Sequence, residues 1–150
     1  MEIALPNEGV RAVVTLLEDE APKTCKAVWN ALPLEGDLHH GMLSGNESFL
    51  VMKGKQMFEV EPENQVYHNI PGDVGYYWAW WKAKGFRGYA EPFAEIIIIY
   101  GRVAEVRDST LQKVPYNLFA TVTENLKEYA KACSEMRAVG YKKVIIRKYE

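Results

Sequence analysis

Apolar positions along this chain recur with two different spacings, and the changes of spacing mark out its elements. Residues 3–5 form a short apolar run before the turn triplet Asn7-Glu8-Gly9. Over 10–17 apolar and polar residues alternate and then give way to apolar ones, as in a strand entering a core. Two further strands are predicted over 37–43 and 48–52, joined through the turn-rich Ser44-Gly45-Asn46. Ile70-Pro71-Gly72-Asp73 is a strong turn ahead of an aromatic strand over 74–81, and a glycine-bearing loop follows over 82–93. The segment 94–106 is apolar on both faces and is predicted to lie centrally in a sheet. A last strand is expected at 144–146.

Helical spacing occurs twice. Ala21, Cys25, Val28, Trp29 and Leu32 form one stripe behind Pro22, which is pre-set for a first helical turn. Glu18, Asp19 and Glu20 put negative charge at that positive helix end. Leu118, Val122, Leu126, Tyr129, Cys133 and Met136 form a second stripe, which predicts a helix over 117–138 with Asn117 as its N-cap and Gly140 just past its end. The order of elements predicts a mainly β fold with two helices, a closed β-barrel capped by the helices, in a single domain over 1–150.

The chain has 150 residues, enough for a sizeable core, with 48% apolar and 25% charged residues. A net charge of −2 provides no nucleic-acid footprint. The basic residues Lys142, Lys143, Arg147 and Lys148 read as a solvated strand face. No apolar run has membrane length, and Met-Glu-Ile does not begin a signal peptide, so a cytoplasmic protein with no membrane partner is expected. Cys25 and Cys133 both fall on apolar helix faces and read as reduced core thiols, and no metal site is expected.

The run from Leu17 to Pro33, with its acidic turn and A-P-K-T helix start, resembles the first helix of cyclophilins. The F-H-R-x-I and Q-G-G-D segments that build the prolyl-isomerase groove of that family do not occur, since His39-His40 is followed by Gly41-Met42. A fuller resemblance runs through APKTCKAVWNALPLEG, HHGMLSGNESF, PENQVYHNIPGDVGYY, EIIIIYGR and YNLFATVTENLKEYAKAC. In that order these segments resemble a bacterial cyclophilin-like domain family of unknown function, related to the cucumopine and mikimopine opine synthases. That resemblance implies a cyclophilin-like barrel and a cofactor-free Pictet–Spengler-type condensation of an amino acid with an oxo acid. A non-catalytic binding module for a small anionic metabolite is the alternative, and a peptidyl-prolyl isomerase-like protein the third reading.

Four pieces of the chain are candidates for chemistry. His39, His40 and Ser44 are the first; imidazole moves protons near neutral pH, and strand alternation lets only one of the two histidines enter a given pocket. The aromatic run Tyr76-Tyr77-Trp78-Ala79-Trp80-Trp81 is the second, with Tyr77 on the face opposite Tyr76 and Trp78. Its surplus of rings predicts a planar ligand or a homo-oligomer interface. The third is Glu95, Tyr100 and Arg102. Glu95 is a candidate base, and Arg102, which shares a strand face with Tyr100, is a candidate carboxylate anchor. Glu95 falls on the other face and reaches the same pocket only through a twist or bulge. Asn117, at a helix start able to bind an anion, is the fourth. The expectation is a catalytic set of His40, Glu95 and Tyr100, with substrate held by Arg102, His39, Ser44, Tyr77 and Asn117. Walker, Rossmann, G-x-S-x-G and H-E-x-x-H signatures are absent from the sequence.

Overall fold

The computed structural model describes residues 1–78 and 92–150. Nine strands among them are β1 (Glu2–Leu5), β2 (Val10–Leu16), β3 (Leu34–His40), β4 (Gly45–Met52), β5 (Gln65–Val66), β6 (Asp73–Trp78), β7 (Ala94–Ala104), β8 (Tyr116–Glu124) and β9 (Lys142–Arg147). They pair antiparallel in the order β2-β1-β9-β3-β4-β7-β6-β8, and β2 pairs back onto β8 to close the barrel. β5 adds to β8 as a short outer strand. The cyclophilin-like closed barrel expected from the sequence is the observed fold. Among the described residues, closure leaves no long unpaired sheet edge.

Helix α1 (Pro22–Ala31) lies where its stripe predicts and buries Cys25 and Val28. It has no side-chain cap of its own at the N-terminus. Glu63 supplies one from a distant loop, accepting the backbone N–H of Thr24 at 2.8 Å and its hydroxyl at 2.8 Å. The Cys25 thiol donates to the Phe119 carbonyl at 3.2 Å and ties the helix to β8. Both cysteines are free and buried.

The second helix departs from expectation. It is split into α2 (Leu126–Ser134) and α3 (Met136–Val139), and the preceding residues 116–124 are strand β8. Leu118 and Val122 match a helical stripe, but the segment YNLFATVTE also alternates and is rich in β-branched and aromatic residues. The barrel needs this strand to join β6 to β2, and tertiary pairing settles the ambiguity. Asn117 is therefore a buried strand residue, and the residue before α2 is Asn125 in a left-handed conformation (φ 62°). The chain leaves α3 through Gly140 with φ 86°, as a C′ glycine does. Lys142 also departs from the solvated face assigned to it: it is buried, with ion pairs to Glu135 at 2.8 Å and Glu8 at 3.4 Å.

The wall made by β4, β7 and β6 is covered on both sides. Leu50, Met52, Val74, Tyr76, Ile96, Ile98 and Tyr100 face the main core inside the barrel. Tyr77, Ile97 and Ile99 face outward into a second apolar cluster with Val106, Val114 and Tyr116. Gly75 makes this outer layer possible, since a Cβ there would stand 1.9 Å from the Tyr116 ring.

Candidate active site

The outer layer holds a cavity of about 320 Å³ between the β3–β4 turn, the outward face of β4 and β7, and the segment after β7. Its walls carry His40, Ser44, Glu47, Tyr77, Glu95, Arg107 and Asp108 among apolar neighbours such as Phe49, Phe93 and Val106. Ionisable groups set in a largely apolar concavity are the usual setting for shifted proton affinities.

Glu47 is the central group. It is 2% exposed, and its Oε2 has no hydrogen-bond partner among the described residues. Burial pushes its carboxyl up from 4.5 to about 7, against a smaller downward pull from a hydrogen bond with Ser44. The turn is built around it. Gly41 is required where a Cβ would meet Oε2 at 2.6 Å, and the Gly41 N–H donates to the Glu47 carbonyl at 2.7 Å. Ser44 is fixed in turn, its Oγ accepting the Arg107 N–H at 2.9 Å. Burial raises the proton affinity of the Tyr116 hydroxyl, and the Asp73 and Glu47 carboxylates add to that rise.

His40 stands at the end of β3, where the cavity meets the barrel mouth. Its Nε2 lies 2.5 Å from the Tyr100 hydroxyl and accepts the Arg137 Nε–H at 3.3 Å. Those partners assign the ring proton to Nδ1, which is buried without a partner among the described residues. Burial first, and the Arg137 charge second, lower the His40 pKa, so the ring is neutral at physiological pH. Burial raises the Tyr100 pKa, tempered by Arg137. The ring's one lone pair, on Nε2, is already engaged by the Tyr100 hydroxyl and the Arg137 guanidinium, so the remaining function of the neutral ring is its Nδ1–H donor.

Ser44, Tyr77 and Glu95 line the cavity; His40 borders it, but its ring lies on the inner face of the wall with Tyr100, opposite Phe49 and Glu47. Glu95 does face outward, away from Tyr100, and it reaches the cavity because the cavity itself is outside the barrel wall. His39 points to the face opposite His40 and stacks on Phe49 with ring centroids 5.7 Å apart. Arg102 is exposed beside the strained Val103 (φ 59°) and does not line the cavity. Arg107 does line it, held by the Leu111 carbonyl at 2.7 Å and by Glu105. Asn117 does not line this cavity and serves the loop after β4, accepting the Glu63 N–H at 3.2 Å and donating to the Glu61 carbonyl at 2.9 Å. Tyr76 and Tyr77 are buried within the chain itself, one on each side of the wall, whereas Trp80 and Trp81 lie outside the described residues.

Sequence reasoning missed Glu47, Arg107 and Arg137. The only signal for Glu47 was its alternation with Phe49 and Val51, which put a carboxylate on an apolar face. The two arginines come from segments far apart in the chain, and nothing local distinguished them from surface residues.

The family profile of a protein of unknown function (DUF3830) matches residues 3–147. The chain belongs to this family. No curated protein matches it. A solved structure described as McbB in complex with tryptophan superposes on this DUF3830 chain with a TM-score of 0.68 at 17% sequence identity. The superposition covers 99% of the DUF3830 chain and 45% of McbB, so the chain spans about half the length of that neighbour. At this identity the likeness is one of fold. Among the described residues no helix is long and apolar enough to cross a membrane, and no group of three His, Cys, Asp or Glu is placed to hold a metal ion.

Proposed function

We propose that this chain is a small-molecule enzyme that condenses an amino acid with an oxo acid by acid–base chemistry alone, in the manner of a Pictet–Spengler synthase. The observation that carries the reading is Glu47, a buried carboxyl held near neutrality in the wall of a cavity that Arg107 also lines. In such a reaction the amine attacks the carbonyl carbon, and the carbinolamine oxygen takes a proton and leaves as water. A nucleophilic carbon of the amine partner then closes on the iminium carbon and gives up its proton. One group must therefore donate a proton and later receive one. A carboxyl with a pKa of about 7 is present in both forms at neutral pH and suits both tasks. His40 is the second proton-transfer group, through its Nδ1–H, and Arg107, paired with Glu105, is the cation that lines the cavity and can meet a substrate carboxylate. The tryptophan in the McbB complex supports an amino acid as one partner in this fold.

The test is incubation of the full chain with pairs of amino acids, including histidine and tryptophan, and oxo acids, read by mass spectrometry. The expected product equals the two reactants less one water. Glu47→Gln is expected to lower its rate of formation by about 10²–10⁴-fold. Absence of product from every pair, with ligand binding indifferent to both Glu47→Gln and His40→Ala, would leave the anionic-metabolite binding module instead.

A further inference from the structure

A second cavity, about 220 Å³, lies on the other side of Tyr77 and Val114, both of which also line the ionisable cavity. It differs from the first in charge. None of its lining residues carries a charge, and Tyr76, Trp78 and Pro115 give it flat apolar walls. Two of its polar side chains are engaged within the chain. The Asn117 amide donates to Thr24 Oγ1 at 3.1 Å and to the Glu61 carbonyl at 2.9 Å, and the Tyr76 hydroxyl donates to the Phe58 carbonyl at 2.5 Å. The indole N–H of Trp78 is buried with no acceptor among the described residues. A buried donor left unpaired costs about 1–3 kcal/mol, which a ligand acceptor would recover. Together the two cavities reach the size of ordinary ligand sites, roughly 300–1,000 Å³.

We propose that the two cavities are lobes of one substrate site, and that the uncharged lobe takes a flat, neutral group carrying a hydrogen-bond acceptor for Trp78 Nε1. Tyr77 and Val114 form the sill between the lobes. The ionisable lobe carries the reacting amine and carboxylate, and the uncharged lobe sets which side chain is accepted. This assignment rests on the reading of the ionisable cavity as the reaction site, but its test reads binding and not turnover.

The full chain, labelled with ¹⁵N, is titrated with benzamide as a flat neutral acceptor and with benzoate as its charged counterpart. The chain has 4 tryptophans, and Trp78→Phe identifies the Trp78 indole resonance by its loss. Benzamide is expected to move that resonance downfield and saturably, with benzoate binding at least about tenfold more weakly, since an ion entering an uncharged lobe loses its hydration. Val114→Phe, which fills the sill, should remove the response, and Val114→Ala should keep it. A Trp78 resonance that benzamide leaves unmoved, that benzoate moves equally, or that Val114→Ala silences overturns the second lobe. A chain that condenses substrates with a silent Trp78 loses only this proposal, whereas an inactive chain with a responsive Trp78 loses only the proposed reaction.

Discussion

Replacing Glu47 with glutamine keeps the shape of the side chain and removes its proton equilibrium. The native carboxyl titrates at about 7, against 4.5 for an unperturbed one. At about 1.4 kcal/mol per pKa unit, burying the ionised form costs the fold about 3 kcal/mol. Below pH 4.5 the group is protonated in both folded and unfolded chains and contributes nothing to the difference. Between 4.5 and 7 the unfolded chain releases this proton while the native chain retains it, so stability falls as pH rises. Above 7 the full penalty is present. Glutamine has no such penalty, so Glu47→Gln should match the parent near pH 4 and exceed it by about 3 kcal/mol at pH 8. With a urea slope of about 2 kcal/mol/M, the unfolding midpoint at pH 8 should rise by about 1.5 M. Turnover should fall by about 10²–10⁴-fold, the usual cost of losing a general acid or base. Urea titrations of both proteins at pH 4, 6 and 8 decide the matter. Equal midpoints at pH 8, or a gap that does not change with pH, would show that Glu47 is ionised and compensated in the native chain.

His40→Ala should lower turnover by about 10²–10⁴-fold with little change in substrate binding, measured by steady-state kinetics and calorimetry; unchanged turnover would remove the imidazole from the reaction. Arg102→Ala should leave both quantities unaltered, because the residue is exposed away from the cavity, whereas a weakened oxo-acid affinity would restore it as the carboxylate anchor. Gly75→Ala drives a Cβ to 1.9 Å from the Tyr116 ring and should destabilise the chain by about 3 kcal/mol in urea unfolding; an unshifted midpoint would mean that Tyr116 is free to move aside. In a proline-peptide assay the chain should leave the isomerisation at its uncatalysed rate, since the groove motifs are missing; cyclophilin-like turnover would contradict that.

The hydrophobic pattern by itself determined the barrel. Helix α1 follows from Pro22 and a stripe of apolar residues at helical spacing, and the central position of β7 follows from Ile96–Ile99 being apolar on both faces. Alternation also determined that His39 and His40 part to opposite sides of β3, and that Glu95 opposes Tyr100 on β7. It could not decide 116–124, where Leu118 and Val122 satisfy both periods. Only the need of β6 and β2 for a shared neighbour makes that segment a strand and takes Asn117 out of a helix cap. Nor could it say which side of the wall holds the site. Alternation assigns residues to faces, but it does not say which face a later segment will cover. The segment after β7 folds back over the outer face, turning an otherwise solvated Glu47 into a buried acid, with Arg107 beside it. Arg137 reaches His40 from α3, 97 residues further along the chain. Contacts of that span are made by the closure of the barrel, and burial, which sets the proton affinities of Glu47 and His40, exists only once it has closed.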